Sequence, residues 1–409
     1  MKSLSRLLLL LLASITTVVG AHARVTSAIF NDDYILVNET YNLKGKTIQL
    51  KDGAVLDFRG GKIANGTIIG NNTVIIAGRN PIFDNVKIEG TWNVDEAYPE
   101  WFGGKGDEKT DCSDAISNTL KLSPNTLKFT NGVYCIKAPI VTNNSDIVIT
   151  HNATIKAIEP MDVVILGDFP DKGIYNLRKN FLINGGGTID ANGKAKVGIA
   201  LRKAHHAVIS QLTVKNATEY GFKAAVNTKE AGNSLLREMI FMNEMSIPNA
   251  VGILNNRSDC TYEHISIVNF KIGVECRSQN AKFTDVHPWL INPEFWEESV
   301  AFDCYCPHVT LISSEADTMR KLIRCHEDYF FATVINCAAY KNDVVVSDEL
   351  ATKYKPLVID KNGYKNSKLT VIGGVYWFSV PYDICPNIEE SDTFTINRYN
   401  SKMTNYKNK

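Results

Sequence analysis

Hydrophobic positions between Thr47 and Trp92 fall into short runs, TIQL, AVLDF, KIANGTIIG, NTVIIAG and VKIEGTW, each closed by glycine or asparagine. Runs of this length, rich in β-branched residues and poor in helix formers, predict short strands joined by tight turns. The same habit returns after Pro124 and continues almost to Trp377. Strands so short and so numerous fit a sandwich or a solenoid, and an internal repeat separates the two.

The repeat is present. GIALRKA (Gly198–Ala204), GFKAAVN (Gly221–Asn227), GILNNRS (Gly252–Ser258), GVECRSQ (Gly273–Gln279), AFDCYCP (Ala301–Pro307), LIRCHED (Leu322–Asp328) and LVIDKNG (Leu357–Gly363) form one series. Their starts are 23, 31, 21, 28, 21 and 35 residues apart, so a coil of 21 to 23 residues is lengthened by loops. That is a parallel β-helix period. A second run follows each segment, as in VISQLTVKN, LREMIFMN and YEHISIVN, and places Asn216, Asn243 and Asn269 alike. Those three predict an asparagine ladder, each amide bonding the turns above and below.

Strand side chains alternate between faces, so the aligned segments assign an inside and an outside. The second positions, Ile199, Phe222, Ile253, Val274, Phe302, Ile323 and Val358, point inward, and the fourth position, with Cys276, Cys304 and Cys325, does the same. Cys306 shares that parity. Cys304-x-Cys306 followed by His308 therefore reads as a buried thiol stack and not as a zinc site, whose ligands would sit on opposite faces.

One stretch departs from the pattern. YPEWFGGKGDEKTDCSDAI (Tyr98–Ile116) is glycine-rich and leads into Asp111–Leu122, where Ala115, Ile116, Leu120 and Leu122 lie at helical spacing behind Asp111 or Ser113 as cap. It lacks the G-K-[ST] and the flanking βαβ units that a phosphate-binding loop requires. A solenoid needs its first coil covered, and this helix, near 111–122, is expected to be the lid.

WFGGKGDEKTDCSDAI resembles the opening motif of the pectate-lyase-like superfamily, written around GAKGDGKTDDTDAI. LINGGGTIDANG (Leu182–Gly193) with GIALRKAHHAVISQLTVKNA resembles the coil that follows it in polygalacturonases and tailspike depolymerases. The resemblance covers about Tyr98 to Trp377. It implies an all-β, single-stranded right-handed parallel β-helix with a short N-terminal capping helix over residues 98–400, preceded by short β-solenoid coils over 24–97. It also implies a shallow groove along an outward sheet face, where successive coils stack side chains about 4.8 Å apart. The N-T-D, D-D, H-G and R-x-K set of polygalacturonase-type hydrolases is not found in register, Asp32-Asp33 being the only D-D. Clustered aspartates of the calcium-dependent lyases are absent as well, so no metal or other cofactor is expected.

Composition narrows the setting. The 409 residues carry 44 basic and 44 acidic side chains and are 44% hydrophobic, which allows a large core and gives no support to nucleic-acid binding. Lys2 and Arg6, the apolar run from Leu7 and Ala21-His22-Ala23 predict a signal peptide over 1–23, and hence export to periplasm, cell surface or medium. No later segment is long and apolar enough to insert in a bilayer. Nine cysteines in an exported chain suggest disulfides, with Cys112–Cys135 the pair considered.

Third positions of the aligned segments (Ala200, Lys223, Leu254, Glu275, Asp303, Arg324, Ile359) and fifth positions (Arg202, Ala225, Asn256, Arg277, Tyr305, His326, Lys361) face outward. Glu275, Arg277, Asp303, Tyr305, Arg324 and His326 thus cluster on three neighbouring coils. The plainer reading is a ladder of ion pairs. The functional reading is a cationic groove for an acidic polysaccharide, with arginines on carboxylates and Tyr305 or His326 moving protons. Lys223, Glu275 and Arg202 would extend the substrate contacts. His287, in DVHPW, also faces outward, and Trp289 and Trp296 would stack on sugar rings unless they pack their own loop. Glu315 and Asp317 are a carboxylate pair near the next turn, and His205-His206 is expected to be polar surface.

Three functions compete. A polysaccharide lyase would eliminate across uronic-acid chains, with Arg277 or Arg324 neutralising the carboxylate and His326, Tyr305 or His287 as base. A glycoside hydrolase would use Asp303, Glu275, Glu315 and Asp317. A surface glycan-binding protein would do neither. Arginines and aromatics on the outward ladder favour the lyase. The chain is expected to act as a monomer or a trimer.

Overall fold

The computed structural model describes residues 27–167, 181–224, 232–326, 331–340, 357–359, 368–376 and 396–399. The leader expected over 1–23, and the outward positions Ala225 and Lys361, lie outside them. The chain divides into two compact units. One comprises Met1–Asp95 with Glu100–Gly103 and Lys121–Pro124, and the other Glu96–Pro99, Gly104–Leu120 and Asn125–Lys409.

In the first unit six strands, from Tyr34–Val37 to Phe83–Asn93, pair in parallel. Alternate apolar residues stack across them in register, Tyr41 on Ile63 on Phe83 and Ile48 on Ile68 on Ile88. Trp101 is buried against this unit and donates its indole N–H to the Gly78 carbonyl at 2.6 Å.

The second unit is the parallel β-helix. A nine-stranded sheet takes one short strand from each coil, from Ile140–Thr142 to Leu357–Ile359, and a larger sheet takes the runs that follow. The inward column Val164, Ile199, Phe222, Ile253, Val274, Phe302 and Ile323 is in register and fully buried. Each such side chain contributes roughly 1.5–3 kcal/mol through removal from water. In the last coil Leu357 pairs with Ile323, Val358 with Arg324 and Ile359 with Cys325. Val358 is therefore a third-position residue and Ile359 a fourth, one step from the expected assignment. The 35-residue interval before this coil far exceeds the 21- to 23-residue repeat, so spacing alone does not fix its register.

Glycine stands second in four successive strands for a steric reason. A Cβ on Gly198, Gly221, Gly252 or Gly273 would stand 2.3 to 2.9 Å from core side chains of the facing sheet, such as Val214 and Ile267, and from the carbonyl of the next coil. The helix expected near 111–122 runs Ser113–Lys121, with Ala115 and Ile116 buried and Leu120 packed on the core. Asp111 accepts from the Ser113 amide at 3.0 Å, and the Ser113 hydroxyl accepts from the amides of Lys137 and Ala138. In the glycine-rich stretch, Asp107 gathers the Lys109 and Thr110 amides and the Thr110 hydroxyl at 2.7–3.0 Å, which holds its pKa down at about 2. Gly106 lies against Gly132, where a Cβ on either would meet the other's backbone or its neighbour's at 2.4 Å or less. GxGD here closes a turn.

Asn216, Asn243 and Asn269 stack at one corner and are buried, and two of them bond the turns on either side: Asn216 donates to Asp190 at 3.4 Å and accepts from the Met245 amide at 3.2 Å, and Asn269 accepts from the Asn292 amide at 2.8 Å. Asn243 closes its own loop through Ile247, and Asn269 donates to the Asn243 carbonyl at 2.9 Å. Main-chain acceptors compete successfully for the amide protons. A second corner was not legible: Gln211, Glu238, His264, Asp285, Ser313 and Asn336 all hold φ between +48° and +56°. Six different polar residue types, none of them glycine, share a left-handed position that sequence alone does not mark.

The eight described cysteines are buried free thiols, Cys112 and Cys135 among them, which corrects the disulfide considered for that pair. The Cys112 thiol donates to the Lys105 carbonyl at 3.2 Å, and its amide to the Cys135 carbonyl at 2.8 Å. Cys276, Cys304 and Cys325 stack in register, and Cys306 turns in beside Cys276 with 3.5 Å between sulfurs.

Candidate functional site

The outward cluster forms on the strands Ile272–Cys276, Val300–Cys304 and Lys321–Cys325 and the residues just beyond them. Glu275, Asp303 and Arg324 follow one another in register. Asp303 is wholly buried beneath its neighbours. Arg324 grips it with two bonds, Nε to Oδ1 at 2.8 Å and Nη2 to Oδ2 at 2.6 Å. His326 Nε2 lies 2.6 Å from Oδ1, and the Tyr305 hydroxyl donates to Oδ2 at 3.3 Å. A nitrogen that close to a carboxylate carries the proton, so the 3.1 Å approach of Arg324 Nε to His326 Nε2 is a contact and not a second hydrogen bond. Burial pushes the Asp303 carboxyl up, but the bonds from His326 and Arg324 outweigh it and hold the pKa below the usual value.

Above this anchor the fifth-position column stacks ring on ring. The Arg277 guanidinium lies 4.5 Å over Tyr305, and Tyr305 lies parallel to His326 at 4.0 Å. Arg277 also pairs with Glu275 through Nε. Burial raises the Tyr305 hydroxyl's pKa, so it stays protonated.

A groove of about 510 Å³ runs along the start of these strands. Lys321, Arg324, Glu275, Tyr220, Glu297 and Lys271 border it. Desolvation, reinforced by the charges of Arg324 and Arg320, brings the Lys321 ammonium down to about 8. Burial holds the Tyr220 hydroxyl up. Glu298, also on the groove, is held low by its bond from Lys271 at 2.7 Å. Lys321, Tyr220 and Glu297 escaped the sequence reading because they precede the aligned positions. The residue just before each repeated segment carried the signal: it is Tyr220, Val251, Ile272, Val300 and Lys321 in successive coils.

Other expected residues lie elsewhere. Lys223 is two coils and Arg202 three removed from the nearest cluster strand, or roughly 10 Å and more at one coil spacing each. Arg202 pairs with Asp162 at 3.4 Å and Lys223 sits over the Tyr220 ring. Trp296 is 1% exposed and Phe295 is buried with it in the Pro293–Glu298 turn, so Trp296 is loop core and not a sugar platform. His205 is likewise buried, contrary to its expected surface place. His287 gathers with Glu315 and Asp317, 3.6 and 4.0 Å from their carboxylates, on the larger sheet, with Trp289 exposed beside them. Among the described residues no three His, Cys, Asp or Glu side chains converge as a metal site, and no helix is long and apolar enough to cross a membrane.

No protein-family model and no curated protein sequence matches the chain. Solved structures do. A hyperthermoactive exopolygalacturonase from Thermotoga maritima superposes with a TM-score of 0.50 at 10% identity, covering 75% of this chain and 91% of its own. The enzymatically active domain of tailspike protein 2 from bacteriophage CBA120 gives 0.50 at 12% identity, over 76% of this chain and 47% of its own. ORF18 of Geobacillus virus E2 gives 0.48 at 14% identity, the chain spanning 60% of it. The likeness to the first two is one of fold, the right-handed parallel β-helix.

Proposed function

We propose that the chain is an exported carbohydrate-active enzyme, a polysaccharide lyase that cleaves uronic-acid chains by β-elimination in the groove beside Lys321 and Arg324. The observation that carries this reading is an amine with its pKa drawn to about 8, set beside a guanidinium on one groove wall. Elimination needs a base for the proton at sugar C5, a cation for the adjoining carboxylate and an acid for the leaving oxygen at C4. Neutral Lys321 takes the C5 proton. The electron pair forms the C4–C5 double bond as the C4–O bond breaks, and the leaving oxygen takes a proton from water. Arg324, fixed by Asp303, stabilises the charge that builds on the carboxylate. The solved relatives by fold include a polygalacturonase, which is in keeping with an acidic polysaccharide as substrate.

Hydrolysis is the second reading, favoured by Glu275, Glu297 and Glu298 around the same groove. It requires one carboxyl held protonated near neutral pH. Glu298 is shifted the opposite way by Lys271. The test is to incubate the chain from Arg24 onward with pectic, alginate-type and glycosaminoglycan polymers, following both the ultraviolet absorbance of unsaturated uronate and new reducing ends. Absorbance rising with the ends supports elimination. Ends without absorbance move the chemistry to the carboxylates.

A further inference from the structure

A second groove, of about 600 Å³, shares no lining residue with the first. It lies where the chain turns from the nine-stranded sheet into the larger one. Its turn row is Asn233, Asp259, Asn280 and His308, one per coil, all at positive φ and all exposed. Its strand row is Thr261, Lys282, Thr310 and Thr333, stacked in register. Phe331 stands at one end, 45% exposed, edge-on to the His308 ring at 5.6 Å.

Turn geometry explains the first row, since Asn, Asp and His tolerate left-handed backbone. It does not explain the second row or the exposed phenylalanine. Elsewhere on this sheet outward charges are spent on each other, as in Lys156–Glu108 and Lys215–Glu244. Here amides, hydroxyls, a lysine and a carboxylate face a common hollow, one of each charge, with an aromatic face at its edge. Amides and hydroxyls at coil spacing match the ring-to-ring repeat of an extended sugar chain, and the aromatic suits the apolar face of a pyranose.

We infer that this groove is a non-catalytic binding site for an uncharged polysaccharide segment, distinct from the cationic groove at Lys321. It would hold the chain on neutral stretches or side branches of a composite polymer while acidic stretches reach the other groove. The inference stands on its own geometry and survives the loss of the lyase reading.

The test is affinity electrophoresis of the full chain in gels cast with a neutral galactan, arabinan or xylan, and with polygalacturonate. At least one neutral polymer retards the protein. Phe331→Ala and the Lys282→Met, Thr310→Val double variant weaken that retardation at least tenfold, while thermal melting and turnover on soluble polyuronate stay unchanged. Lys321→Met lowers turnover about 10²–10⁴-fold and keeps the neutral-polymer retardation, so the two grooves fail or succeed separately. Passage through every neutral gel without retardation, or variants that migrate like the parent, overturns the inference.

Discussion

Asp303 shows how one residue can matter to a site without touching it. It accepts from Arg324, His326 and Tyr305 and has no exposed surface, so its work is to hold Arg324 in place. Asp303→Asn leaves the guanidinium without its buried counter-ion and is expected to cost about 3–5 kcal/mol, read as a lower denaturant midpoint. Because the folded carboxyl titrates below its unfolded value of about 3.9, its stabilisation is complete above that pH and fades as pH falls through the lower folded value. Lys321 titrates the other way. Its pKa of about 8 makes the amine neutral as pH rises through 8, so kcat/KM should climb across that pH. Lys321→Met should lower it about 10²–10⁴-fold at every pH and remove the rise. A profile unchanged in Lys321→Met would place the base elsewhere. At this scale the sequence was a partial guide. Parity placed Glu275, Asp303 and Arg324 correctly, because strand alternation is geometric. It could not show that Asp303 is covered, or that Lys321 is desolvated, since burial depends on neighbouring coils and loops.

At the scale of elements, the glycine row decides how tightly the coils close. In Gly252→Ala the new Cβ would stand 2.4 Å from Ile267 Cγ2 and 2.6 Å from the Gly273 carbonyl. Neither can retreat within a packed core, so a loss of about 1–3 kcal/mol is expected, measured by urea unfolding. The strands themselves were readable from their short apolar runs, and the capping helix from its spacing and its Asp111–Ser113 start. Two things escaped. The register of Leu357–Ile359 slipped by one, and the left-handed corner through His264 and Asp285 left no common residue to recognise. His264 and Asp285 are 2.6 Å apart there, and the hydrogen bond raises the imidazole's pKa. In Asp285→Asn the His264 titration followed by NMR should move back down.

For the whole second unit, each coil rests only on its neighbours, and stability should be graded along the axis. Hydrogen exchange should be slowest in the strands Val251–Asn255, Ile272–Cys276 and Val300–Cys304, the middle coils that also carry the cluster. Uniform protection from end to end would contradict that gradient. The architecture was legible because a 21- to 23-residue repeat admits few folds, whereas the reaction depends on a handful of groove groups that the fold does not fix. The decisive measurement is therefore the mass of the oligosaccharides released from a polyuronate. Elimination gives non-reducing-end fragments one water lighter than the corresponding hydrolysis products, and that is the expected spectrum. Fragments carrying the added water would contradict the lyase and assign the groove to hydrolysis.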